Sequence, residues 1–134
     1  MFSLQIEIPP ELIAPVYDHV HHGNAFFFLE QGRVALMDQL GVPCQGYLDR
    51  GLGLVIGSVQ AHYKRELKGG RITVTCDRLE VQGRSIIIYQ RILNSKGKTA
   101  VEAVIESVFM DIQARRGISP PEEFLEAVKR FPKG

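Results

Sequence analysis

Residues 17–24 read Tyr-Asp-His-Val-His-His-Gly-Asn and crowd five polar or titratable side chains, Asp18, His19, His21, His22 and Asn24, into one short stretch. The carboxylate of Asp18 is of a type that takes a proton from water or attacks a carbonyl carbon itself. His22 and Asn24 are of a type that positions a water or a carbonyl. The next five residues are apolar: Ala25, Phe26, Phe27, Phe28 and Leu29. A helix beginning there offers backbone N–H groups and a partial positive charge at its mouth. The amides of Gly23, Ala25 and Phe26 would then serve as donors for a developing oxyanion. Base, positioning groups and oxyanion donors together describe attack on a carbonyl. The three histidines do not read as a metal site, because a third or fourth ligand in set geometry is missing and adjacent histidines point apart.

The elements that must hold this stretch are read from pattern. A helix apolar on every side is a buried one. Here it is expected from Asn24 or Ala25 to Leu40, enclosed at its start and partly exposed from Glu30 onward. Asn24 suits the N-cap, a role compatible with a site role, and Gly41 suits the C′ position with Pro43 beyond it. Glu30 and Arg33, spaced i, i+3, are expected to pair with each other. Before the helix, Leu4, Ile6 and Ile8 alternate as a strand that Pro9 and Pro10 interrupt, so it belongs at a sheet edge or is irregular. Residues 42–52 read as a loop. Leu54–Tyr63 is a strand. Ile72, Val74 and Cys76 alternate, then the phase flips to Leu79 and Val81, which predicts a β-bulge near Asp77–Arg78. Gln82–Gly83 and residues 94–98 are turns that make antiparallel hairpins of Ile86–Leu93 and Thr99–Ile112. Ser119 as N-cap, Pro120 at N1 and Glu122 at N3 predict a short final helix with Phe124, Leu125 and Val128 on its apolar stripe. An antiparallel sheet must wrap the one long helix. Strands apolar on both faces need further cover, expected from another subunit.

Length and composition bound the rest. The 134 residues form one expected domain, 1–134, with 45% apolar and 23% charged residues and a net charge of +1. That charge is too balanced for nucleic acid as a main partner. No run is long enough for a membrane span, and the first residues lack a signal-peptide pattern. A cytoplasmic protein with reduced Cys44 and Cys76 is the expectation.

The pattern Asp18-x-x-x-His22-Gly23-Asn24-Ala25, then an aromatic at Phe26 or Phe27, then Glu30, Arg33 and Leu40-Gly41, resembles the hotdog-fold acyl-thioesterases. Within them it is most similar to the 4-hydroxybenzoyl-CoA thioesterase family and its acyl-ACP thioesterase relatives. The resemblance implies an α+β hotdog fold: an antiparallel sheet of about five strands around one long central helix, with a short C-terminal helix. It implies an acyl-CoA thioesterase that forms free acid and CoA, with acyl-ACP as the alternative substrate and no cofactor. Asp18, His22 and Asn24 are the expected catalytic residues. Gly23, Ala25 and Phe26 are the expected oxyanion donors, and Tyr17, Phe27, Lys64 and Arg65 the expected substrate contacts. In another branch of these enzymes the catalytic carboxylate lies on the helix, which makes Glu30 the runner-up. A homodimer assembling to a homotetramer is implied as well. The chain departs from the family at His21, Ala25 and Arg71, where Gly, Asn and Asp are usual. A non-catalytic acyl-thioester binder is the alternative from another class, and a dehydratase is a weaker third.

Overall fold

The computed structural model describes residues 1–132. In chain order its elements are β1 (Phe2–Glu7), a 3-10 turn (Pro10–Leu12), β2 (Ile13–Ala14), β3 (His19–Val20), α1 (Asn24–Gln39), α2 (Cys44–Asp49), β4 (Leu52–Tyr63), β5 (Arg71–Gln82), β6 (Ser85–Leu93), β7 (Thr99–Asp111), β8 (Arg116–Ile118) and α3 (Glu122–Val128). Six strands form one sheet in the order β1-β5-β6-β7-β4, with β8 added to β7. Every pairing in it is antiparallel. The 16-residue α1 lies across this sheet, which gives the expected α+β hotdog arrangement.

Two apolar clusters fasten α1. Ala25, Phe28 and Leu29 pack on Ile72, Val74, Ile92, Val101 and Ile105. Leu36, Met37 and Leu40 pack on Cys76, Ile86, Ile88, Phe109 and Phe124. Between them Gly32 sits so close to the sheet that a Cβ there would fall 2.6 Å from Val74 Cγ1. The buried positions of α1 are Ala25, Phe28, Leu29, Gly32, Leu36 and Met37, a helical stripe facing the sheet.

The enclosure expected for the helix start is therefore wrong for a single chain. Phe26 and Phe27 are 43% and 64% exposed. One sheet covers one side of a helix, and these two rings stand on the other side. Asn24 is not the N-cap either. Gly23 holds that position in helical conformation (φ −64°, ψ −27°), and no side chain caps it. At the other end Gly41 takes φ +78°, the left-handed conformation a C′ glycine supplies at no steric cost.

The bulge at Asp77 is present, between the pairs Cys76–Gln90 and Arg78–Tyr89. The hairpin turn falls at Gly83–Arg84, one residue later than expected, because Gln82 still pairs with Ser85. β1 is regular through six residues and lies at the sheet edge, ending just before Pro9. The loop expected at 42–52 contains α2, anchored by Tyr47, whose ring meets that of Phe109 at 4.9 Å. The last helix starts at Glu122, with Pro121 rather than Ser119 in the cap position. A proline at 121 pushes Pro120 toward extended backbone and so delays the helix.

Candidate active site

The polar stretch is held by a two-strand ribbon. Ile13 pairs with Val20 and Ala14 with His19. The turn between them closes when the Asp18 amide donates to the Ala14 carbonyl at 2.8 Å. Asp18 adopts φ +58°, a left-handed conformation that Asp tolerates better than most residues. Val20 is buried, and its amide donates to the Leu67 carbonyl at 2.7 Å. That bond ties the ribbon to the basic connection after β4.

Between ribbon, helix start and connection lies a cavity of about 570 Å³, lined among others by Tyr17, His19, His22, Tyr63, Lys64 and Arg65. Tyr63 donates its hydroxyl to the His22 carbonyl at 2.9 Å, and burial raises its phenol pKa. The His21 and His22 rings stack at 4.2 Å, so these neighbours do not point apart as expected. Lys64 pairs with Glu102 at 3.1 Å, and Arg65 donates to the Thr99 carbonyl at 2.6 Å. Among the described residues no three His, Cys, Asp or Glu side chains converge as metal ligands.

A smaller hollow of about 310 Å³ lies along α1 and β4, lined by Gly23, Phe26, Phe27, Glu30, Arg33 and Val59. It continues through Glu30, Arg33 and Ile56 into a third of about 480 Å³ bordered by Cys44, Tyr47 and Met110. Arg33 does not pair with Glu30. It donates to Gln90 Oε1 at 3.0 Å, because the buried side chain of Gln90 lies beneath it in the sheet. Burial lowers the Arg33 pKa, and the charge of Glu30 opposes that.

The expected site residues are thus divided. Tyr17, His22, Ala25, Lys64 and Arg65 share the first cavity, while Gly23, Phe26 and Phe27 line the hollow beside it. Asp18 and Asn24 line neither, and Asp18 is exposed. Each amide at the helix start has a partner. Gly23 donates to His21 Nδ1 at 3.1 Å, and Asn24, Ala25 and Phe26 donate to the carbonyls of His21, His22 and Gly23 at 2.9, 3.2 and 3.3 Å. Sequence reasoning assigned no role to His19, Tyr63, Glu66 or Gln90. His19 carried a signal as a member of the polar stretch, and Gln90 as the polar member of the row Ile86, Ile88, Gln90, Ile92.

Comparison with known proteins decides the family. The model of the thioesterase-like superfamily matches residues 16–128. The chain belongs to that superfamily. Thioester hydrolysis is accordingly its general activity. Solved structures share its fold at low identity. It is similar to Slr0204, a 1,4-dihydroxy-2-naphthoyl-CoA thioesterase from Synechocystis (TM-score 0.87, 10% identity, 97% of this chain and 96% of that one). It is similar to the Staphylococcus aureus protein SAV2348 in complex with CoA (0.86, 17%, 97% and 82%). It is also similar to YbaW, a probable thioesterase from Escherichia coli (0.78, 23%, 99% and 100%). No curated protein matches the thioesterase-like chain. None of its helices among the described residues is long and apolar enough to cross a membrane.

Proposed function

We propose that this protein hydrolyses an acyl-CoA thioester to the free acid and CoA. The observation that carries the reading is the cavity at the start of α1, where His22 and the buried Ala25 share one hollow with Lys64 and Arg65. A thioester seated there would set its carbonyl at the helix mouth and its phosphates toward two cations. Asp18, which lies outside this cavity in a single chain, takes a proton from water or attacks the carbon itself once a second copy encloses the helix mouth, and the C–S bond breaks with its electron pair on sulfur. His22 and Asn24 position the reacting groups. The amides of Gly23, Ala25 and Phe26 exchange their present partners for the oxyanion. Tyr17 and Phe27 flank the acyl group. Acyl-ACP is the alternative carrier, and the cytoplasm the expected location. A second copy of the chain covers Phe26, Phe27 and the free edge of β4, and two such dimers stack into a tetramer.

The test is thiol release over short, long, branched and aromatic acyl-CoAs with wild type, Asp18→Asn and Glu30→Gln. Loss of turnover by orders of magnitude in Asp18→Asn alone supports the assignment. Wild-type turnover in Asp18→Asn with loss in Glu30→Gln moves the carboxylate role to Glu30. One observation favours the second reading, a non-catalytic acyl-thioester binder: the four amides at the helix start are all engaged. Thermal stabilisation by CoA esters without any thiol release would establish that reading instead.

A further inference from the structure

We propose that His19 is a further catalytic residue, which delivers a proton from Nε2 to the sulfur leaving the thioester. The inference rests on the hydrolase reading of the same cavity. The ring lines that cavity together with His22, Lys64 and Arg65. Its Nδ1 lies 2.8 Å from the Tyr17 carbonyl oxygen, which can only accept, so Nδ1 carries a hydrogen. The Glu66 carboxylate stands 3.6 Å from the same nitrogen. Nδ1 is therefore anchored, and Nε2 has no hydrogen-bond partner among the described residues. A ring fixed through one nitrogen and free at the other is the arrangement that moves protons with a defined direction.

The other two imidazoles of the cavity are less suited. His21 Nδ1 accepts the Gly23 amide, and its ring is stacked on His22. Neither ring nitrogen of His22 is held by a hydrogen bond among the described residues. His19 also has the firmest backbone, since it pairs with Ala14 in the ribbon that Val20 anchors. The charged group against its ring is Glu66; Lys68 stands 3.9 Å from Glu66, Asp18 precedes His19 in the chain, and Lys64 and Arg65 line the same cavity.

The step balances. The donor in this step is the imidazolium form, with hydrogens on both nitrogens and the Glu66 carboxylate beside Nδ1. As the C–S bond breaks, its electron pair goes to sulfur and takes the hydrogen of Nε2. The N–H pair stays on the ring as a lone pair, and the ring keeps its hydrogen on Nδ1. The proton that the attacking water gives up to Asp18 recharges the ring through solvent. One thioester and one water give one acid and one thiol.

A proton donor to sulfur matters for a basic leaving thiolate and hardly at all for an acidic one. The test compares two esters of one acyl group, the CoA thioester and the thioester of nitrothiophenol. His19→Gln is expected to lower kcat on the CoA ester about 100-fold, in the usual range for a general acid. It should leave the aryl ester within about twofold, which also shows that the variant is folded. Equal losses on both esters, or none on the CoA ester, overturn the role of His19 alone. A wild-type protein that cleaves neither ester overturns the hydrolase reading and this step with it. If His19→Gln melts below assay temperature, Glu66→Gln carries the comparison, and an unchanged ratio between the esters overturns the proposal.

Discussion

Gln90 donates its side-chain amide to the main-chain carbonyl of Leu29 at 2.9 Å, inside the core and between sheet and helix. Its Oε1 accepts from Arg33, so one buried side chain holds both the backbone of α1 and its cation. Gln90→Leu keeps the volume and removes both bonds, together with the weaker one from the same amide to Cys76 Sγ at 3.5 Å. The Arg33 guanidinium would then lose its one side-chain partner among the described residues. A hydrogen bond to a charged group contributes about 1.5–3 kcal/mol, so a loss of about 2 kcal/mol is expected in urea unfolding. An unchanged midpoint would mean that the bonds contribute nothing net.

Gly32 lies next to this bridge. A Cβ at that position would meet Val74 Cγ1 at 2.6 Å and Gln90 Nε2 at 3.2 Å. Valine is stiff at χ1, so it cannot swing aside without cost. Gly32→Ala improves helix propensity by about 1 kcal/mol, while overpacking costs about 1–3 kcal/mol. Net destabilisation is expected, together with weaker hydrolysis as α1 shifts off the sheet. A rise in melting temperature would contradict the close approach.

What the sequence disclosed and what it hid divide along a physical line. The alternation of β5, its break at Asp77 and the left-handed Gly41 depend on local backbone, and these were legible. So was the overall order of elements, which decided the fold. Asn24 as a cap and Glu30–Arg33 as a pair were plausible local partnerships that tertiary neighbours displaced. Gly23 entered the cap position, and Gln90 took Arg33. Of the expected site residues, one cavity brings the pair His22 and Ala25 together with the pair Lys64 and Arg65, about forty residues further along the chain. His19 stood out as one of three histidines in the polar stretch, but what holds its ring was hidden, because its anchors are a backbone carbonyl and a side chain on another segment.

Cys76 gives a pH dependence with a definite sign. Burial pushes its thiol up to about 12 from an ordinary 9.0, with the Gln90 hydrogen bond acting the other way. The unfolded chain ionises this thiol from about pH 9 upward, whereas the folded chain keeps it neutral. The stability it contributes is full below about pH 9 and is lost as pH rises toward 12, at up to about 1.4 kcal/mol per pH unit. Cys76→Ala should flatten the fall of stability between about pH 9 and 11. Alkylation offers a second check, since the partly exposed Cys44 should react and the buried Cys76 should not.

The phosphate role of Lys64 and Arg65 separates KM from kcat. Arg65 has no carboxylate partner among the described ion pairs, while Lys64 is engaged by Glu102. Arg65→Ala should therefore raise KM for an acyl-CoA more than Lys64→Ala does, by about tenfold for one exposed charge contact, or 1.4 kcal/mol. An acyl-N-acetylcysteamine ester carries no phosphates and should be unaffected by either change. Equal effects on both esters would mean that the cations hold the fold rather than the substrate.

The free edge of β4 makes the last prediction. Val55, Ile56 and Val59 on that strand are 38%, 46% and 39% exposed, and Phe26 and Phe27 stand opposite on α1. An apolar edge strand with unpaired backbone groups is a surface that proteins ordinarily cover. With a second copy as its cover, light scattering at micromolar concentration should give a dimer or tetramer mass. Val59→Lys places a charge in the seam and should shift the mass to that of one chain. Thiol release should fall along with the mass, because the exposed Asp18 would then gain its surroundings only in the assembly. A wild-type mass of one chain would remove the assembly. Full activity in a monomeric Val59→Lys would leave the assembly standing and confine the site to a single chain.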